Sequence, residues 1–300
     1  MSLFQSRAKR QKRMEDAARA REREQRYRSE RDQWKKSAKK VRDFLSRRYL
    51  RGQGIEIGGL HRPLALYEGA TVKYVDRLST EEVRRFYPNV SDQAQVTVDI
   101  VDDGETLRTV ADASVDFVIA NHMLEHTRNP IATIETFLRV TKPAGCIFMA
   151  IPDKRYTFDR KRQITPFAHL REDYRLGPEW SDRGHYEDWA RNVREFPTEE
   201  ATRQYIEDCL AKLANIHFHV WTQAEIVEMF LNMRREFAFP IDIEAAIQNG
   251  HEVVVVLRKS GGVTPGNAEA DEAAEEPVPI EPELSGGRDV QEHRPQPRPR

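Results

Sequence analysis

Asp116-Phe117-Val118-Ile119-Ala120-Asn121-His122-Met123-Leu124-Glu125-His126 opens the part of the chain that decides its fold. The apolar run from Val115 to Ala120 is short, as a buried strand is. Pro130 to Val140 follows, with Ile131, Ile134, Phe137 and Leu138 three and four residues apart, the spacing of one helical face. Lys142-Pro143-Ala144-Gly145 then breaks the helix and leads into another apolar run, Cys146 to Ile151, closed by Pro152. Strand, helix, strand is the crossover unit that joins parallel strands, and it predicts helices lying on the sheet.

The pattern extends in both directions. Upstream lie three further short runs: Gly54-Ile55-Glu56-Ile57-Gly58-Gly59, Val72-Lys73-Tyr74-Val75-Asp76, and Ala94 to Ile100. Downstream, about 155–215 is an interruption rich in Tyr, Trp, His, Arg and Asp. A helix is then predicted over Gln223 to Phe237, where Ile226, Val227, Phe230, Leu231 and Met233 make an apolar stripe. Two strands, Ile241 to Ala246 and Val253 to Leu257, flank Gln248-Asn249-Gly250-His251, and Asn-Gly between such runs favours a tight hairpin. The fold class is α/β: a doubly wound, mostly parallel sheet ending in an antiparallel hairpin.

Charge separates this domain, 51–260, from its flanks. The 300-residue chain has a formal net charge of −1 and 32% charged residues, yet residues 1–50 hold 18 Lys or Arg against 7 Asp or Glu. Residues 261–300 hold 4 against 9, together with 7 of the 16 prolines, a composition read as disordered. The basic extension is read as a solvated helix through Glu22 to Arg26 and Glu24 to Arg28, with Trp34, Ala38, Val41 and Leu45 as a stripe able to dock. Its charge attracts anionic surfaces without specifying one, and the absence of interleaved aromatics argues against nucleic acid. No apolar run reaches the roughly 18 residues of a membrane span. The start shows no secretory signal, and a cytoplasmic location is expected, with peripheral attachment at the inner membrane face as an option for the arm. Cys146 and Cys209 are far apart and are expected to be plain core or helix residues.

In open parallel sheets ligands bind beyond the carboxyl ends of the strands. The first such end is Glu56-Ile57-Gly58-Gly59, where glycine lets backbone approach a ligand. The dinucleotide fingerprint G-x-G-x-x-G fails, since His61-Arg62-Pro63 follows, so a ligand without a pyrophosphate suits the site better. Asp76, at the end of the second strand, has the spacing of a carboxylate that binds ribose hydroxyls, or else it caps a turn.

Glu56-x-Gly58-Gly59, Asp76, the stretch from Asp116 to His126, and Leu138-Arg139-Val140-x-Lys142-Pro143-x-Gly145 together resemble class I S-adenosylmethionine-dependent methyltransferases, over roughly 54–259. Ile151 to Asp159 and His217-Phe218-His219-Val220-Trp221-Thr222 are similar to a bacterial subgroup associated with cell-surface glycan synthesis. The resemblance implies S-adenosyl-L-methionine as cofactor. It implies that Glu56, Gly58 and Gly59 line its methionine part, that Asp76 holds the ribose, that Asp99 and Ile100 meet the adenine, and that Asn121 and His122 lie beside the sulfonium.

A sulfonium is an activated electrophile, so the protein needs to align the acceptor and exclude water, and no metal is required. A hydroxyl acceptor needs a general base, for which His122 is the first candidate and Asp153, at the next strand end, the second. Glu125 and His126 read more readily as capping residues, and His217-x-His219 as a packed or substrate-facing pair lacking a third metal ligand. The aromatics of the interruption fit either a sugar wall or a helical core. The expected activity is O-methylation of a glycan, glycolipid precursor or small molecule. The rivals are a catalytically silent binding module of a surface-polysaccharide assembly and a nicotinamide dehydrogenase.

Overall fold

The computed structural model describes residues 39–59, 62–86 and 96–261. The first part of the basic extension, with Trp34 and Ala38, and the acidic tail beyond Gly261 lie outside the described residues. Seven strands form one sheet: β1 (Gly52–Ile57), β2 (Ala70–Asp76), β3 (Ile100–Val101), β4 (Val115–Asn121), β5 (Thr141–Pro152), β6 (Ile241–Asn249) and β7 (Glu252–Lys259). Their order is β3-β2-β1-β4-β5-β7-β6. The first five run parallel, and β7 pairs antiparallel with both β5 and β6. The order reverses between β1 and β4, which places a crevice at their carboxyl ends.

Both faces of the sheet are buried, as parallel strands require. Val118 and Ala120 face a core shared with helix α3 (Pro130–Val140) and helix α7 (Gln223–Phe237). Phe117 and Ile119, one residue out of phase, face a second core with Phe148, Val254, Val256, Leu45 and Leu50. Both of these helices begin where the sequence supplies a polar side chain at the first turn. The Asn129 side chain accepts from Ala132 N at 3.1 Å ahead of α3, and Glu225 of α7 accepts from Thr222 N at 3.0 Å. The second core is closed by α1, residues 39–49, so the end of the basic extension docks on the domain through Val41 and Leu45. Gly54 belongs to this close packing, since a Cβ there would stand 2.2 Å from the Phe117 ring.

Two strand expectations change. The third strand, expected over Ala94 to Ile100, is Ile100–Val101 among the described residues, with Ala94 and Gln95 outside them. The Asp99 carboxylate accepts from Tyr74 N at 2.8 Å, taking the place of a ladder carbonyl and leaving a short edge. The fifth strand starts earlier than expected, at Thr141, with a bulge that loops out the Lys-Pro-Ala-Gly segment. The interruption holds α4 (Phe167–Leu176), α5 (Asp182–Trp189) and α6 (Glu199–Lys212). Tyr186, Ala190, Ile206, Cys209, Ile216 and Phe218 form its own apolar cluster. Thus Tyr186 is core and Trp189 packs against it, whereas Tyr156, Phe158 and Trp180 are half exposed or more. Cys146 and Cys209 are free and buried, as expected. No helix among the described residues is long and apolar enough to cross a membrane.

If α1 is part of the domain, removing its buried anchor must destabilise the whole. Leu45→Ala is expected to cost about 2–5 kcal/mol in urea unfolding, and a loss below about 1 kcal/mol would mean that α1 is peripheral.

Candidate active site

A cavity of about 430 Å³ lies at the carboxyl ends of β1, β2 and β4. Gly58, Asp76, Asn121 and His122 line it, so four sequence-selected residues meet in one place. Gly58 has φ +66°, and a Cβ added there would find nothing within 4 Å. Glycine is therefore favoured by conformation, and its bare backbone opens on the cavity. The Asp76 carboxylate accepts from Leu78 N at 3.0 Å, and burial raises its pKa above the ordinary value. Both amide atoms of Asn121 are buried without a hydrogen-bond partner, a costly state unless something in the cavity meets them.

Other expected residues lie apart from the cavity lining. Glu56 is buried and turned to the loop after β1, where it accepts from Leu64 N at 2.9 Å. Burial pushes its carboxyl up to about 7 against the Leu64 hydrogen bond and the Arg42 charge. Gly59 packs beside it, since a Cβ there would lie 3.1 Å from the Glu56 carboxyl carbon and from the Tyr74 ring. These two residues hold the loop; neither they nor Asp99 and Ile100 are among the cavity-lining residues. Asp99 precedes β3 instead of following it, and the acids beyond that strand, Asp103 and Glu105, line the cavity. Glu105 is pushed up to about 7, chiefly by burial and further by Asp103. Between them Gly104 lets the loop pass over Ile57, whose Cγ2 would stand 2.6 Å from an added Cβ. The sequence signal for this loop was the acid-glycine-acid run itself, hidden by the misplaced strand end.

Asp153 is fully buried and held by Arg155, with Nη2 2.6 Å from Oδ2 and Nε 3.0 Å from Oδ1. A carboxylate so paired caps the turn after β5 and is in no position to take a proton from a substrate. His122 lines the cavity in a left-handed conformation, φ +52°. Its Nε2 lies 2.8 Å from Glu252 Oε2, and its Nδ1 lies 3.5 Å from Glu125 Oε1. Arg42 of α1 grips the same Glu252 at 2.7 and 2.6 Å. Burial alone would depress the imidazole, but the Glu125 and Glu252 carboxylates beside it outweigh that and raise its pKa to about 9. These carboxylates favour the protonated ring, and a protonated imidazole does not accept a proton.

His126, read from sequence as a cap, is the better-prepared imidazole. It lines the cavity, and its Nδ1 lies 2.9 Å from both the Ile216 carbonyl and Asn215 Oδ1. A carbonyl can only accept, so Nδ1 carries the proton and Nε2 keeps its lone pair. Burial, and next to it the His217 ring, holds this group below the ordinary histidine value despite Glu125, so it is neutral.

These charges give stability a pH signature. His122 is raised from 6.5 to about 9 on folding, so its contribution is complete below pH 6.5 and is lost as pH climbs through 9. Glu252 is depressed from 4.5 to about 2, because hydrogen bonds from His122 and Arg42 outweigh burial, so its contribution is lost as pH falls from 4.5 toward 2. The urea midpoint is expected to drop between pH 6.5 and 9, and to drop less in His122→Gln; identical slopes in the two proteins would contradict the assigned imidazolium.

Residues 23–232, well over half the chain, match a family model described as a methyltransferase domain. No curated protein matches. Among solved structures, a Thermotoga maritima S-adenosylmethionine-dependent methyltransferase is 14% identical, covers 78% of this chain and 97% of its own, and has a TM-score of 0.40. One from Aquifex aeolicus is 14% identical over 74% of this chain and 89% of its own, with a TM-score of 0.37. A Rhodobacter sphaeroides protein provisionally described as a Zn-dependent alcohol dehydrogenase is 13% identical over 73% and 88%, with a TM-score of 0.44. Resemblances this distant carry no weight for chemistry, and the family rests on the domain match. The chain belongs to the methyltransferase-domain family, an enzyme whose methyl donor is S-adenosylmethionine.

Proposed function

We propose that this enzyme methylates a hydroxyl of a carbohydrate acceptor, free or as part of a glycan or glycolipid precursor. The observation that carries the reading is the unpartnered amide of Asn121, opening on the same cavity as the Gly58 backbone and the Asp76 carboxylate. The fit to the donor is chemical. A carboxylate is available for ribose hydroxyls, a glycine leaves room for the methionine portion, and an amide offers both donor and acceptor. The volume lies within the roughly 300–1,000 Å³ of ligand pockets.

When bound, S-adenosylmethionine supplies a methyl group already activated by its sulfonium. Asp76 accepts from the ribose, Gly58 lies against the methionine part, and Asn121 satisfies polar groups beside the sulfur. Asp103 and Glu105 take the adenine side in place of Asp99. Met123, Leu213 and Phe218 supply apolar cover that keeps water from the reacting centre. His126 removes the acceptor's proton at Nε2, while His122 contributes fixed positive charge at the rim. The basic charge of residues 1–50 favours an acceptor carried on an anionic surface.

Calorimetry separates donor binding from transfer. Asp76→Ala is expected to weaken S-adenosylmethionine binding by about 10-fold or more, and unchanged affinity would remove the ribose assignment. With monosaccharide and nucleotide-sugar acceptors, His126→Gln is expected to lower the rate of S-adenosylhomocysteine release by about 10²–10⁴-fold with donor affinity retained. Full activity in that variant would sink the assigned base. Absence of S-adenosylmethionine binding by the intact protein would favour the catalytically silent reading.

A further inference from the structure

We propose that His169, Asp173, His185 and His219 form a binding site for one divalent transition-metal ion of the zinc class, separate from the methyl-transfer cavity. The sequence offers only the His169-x-x-x-Asp173 spacing and an imidazole pair, His217-x-His219, with no third ligand, and so assigns no metal. Folding splits the pair. His217 turns to Asp159, with Nδ1 2.7 Å from Oδ2. His219 turns inward to meet two residues of α4 and one of α5.

The donor atoms of the four residues all lie within 4.8 Å of one another. His169 Nε2 is 3.0 Å from His185 Nε2 and 3.3 Å from Asp173 Oδ2, and His219 Nε2 is 3.7 Å from that same oxygen. Zinc bonds of about 2.0–2.1 Å in a tetrahedron put neighbouring ligand atoms about 3.3–3.4 Å apart, close to these separations. Three imidazoles and one carboxylate are also the donor set that suits zinc-class ions.

Unmet polar groups point the same way. Asp173 and His219 are 0% exposed, and Asp173 Oδ2 and His219 Nε2 have no hydrogen-bond partner. Ser181 already donates to the other Asp173 oxygen at 2.7 Å, so the free oxygen is the one facing the histidines. A carboxylate oxygen and an imidazole nitrogen buried without partners are costly, and one cation satisfies both. His185 Nε2 faces the cluster, 3.0 Å from His169 Nε2.

The surroundings tolerate a cation. Arg162 is paired with Asp159 at 3.0 Å and Asp188 at 2.6 Å, and Arg128 is paired with Asp182. A solvent-open cavity of about 280 Å³ reaches His169 and His185 past Trp180, which gives an ion its path. The other two groupings of ligand-type side chains among the described residues are already engaged, Glu252 by Arg42 and His217 by Asp159. Four protein ligands make a closed site, so the ion's role is to tie α4, α5 and the segment before Trp221 into one insertion.

The full chain, stripped with a chelator and titrated with Zn²⁺ or Co²⁺ alone, tests this. One equivalent is expected to bind, with the intense visible bands of tetrahedral Co²⁺ and a higher melting temperature. His185→Gln is expected to weaken binding by about 100-fold or more. His169→Gln, at the accessible rim, is the second variant should the buried substitution prevent folding, and it is expected to cost about 10-fold or more. Neither change is expected to alter S-adenosylmethionine affinity. No stoichiometric binding, or binding that both variants leave intact, would overturn the site.

Discussion

Glu252 begins β7 with its carboxylate buried, and a buried carboxylate must be paired. Arg42 reaches it from α1 and His122 from the end of β4, so one residue of the hairpin binds the N-terminal helix and the rim of the active site together. The pairing costs desolvation on every partner, and removing any one would strand the others. It also sets the state of the site, because an imidazole held between Glu125 and Glu252 is a cation at the mouth of the cavity.

That arrangement divides labour between two histidines four residues apart. His122 is charged and fixed; His126 is neutral, with its proton committed to the Ile216 carbonyl. Their difference comes from what each faces: two carboxylates in one case, a backbone oxygen and a side-chain amide in the other. The residues facing His126 belong to the segment that closes the insertion, which therefore shapes the chemistry of the cavity as well as covering it.

The insertion has its own apolar cluster and its own polar centre. Tyr186 and Phe218 belong to the cluster, while His185 and His219, on the same short segments, turn to Asp173. Aromatic and histidine-rich composition thus serves two ends: part of it is core, and part of it converges on a polar cluster in which Asp173 Oδ2 and the His219 nitrogens have no hydrogen-bond partner.

Much of the sheet was legible because apolar runs and helical spacing are local. The ranges of α3 and α7, the hairpin at Asn249-Gly250, and the strand ends carrying Gly58, Asp76 and Asn121 follow from neighbours in sequence. The third strand was misjudged because a side chain, the Asp99 carboxylate, replaces a backbone partner, and no period in the sequence records that. Glu56 and Asp153 likewise have the right type and position along the chain, but their carboxylates turn to Leu64 N and Arg155.

The sequence by itself determined the fold class and the end of the sheet where the cavity opens, since burial periodicity and glycine placement act over a few residues. Only the tertiary structure decided which acids and imidazoles are paired, charged or unmet. Protonation and ligation depend on groups such as Arg42, Ile216 and His219 that are tens to hundreds of residues from their partners and meet them only when the chain is packed.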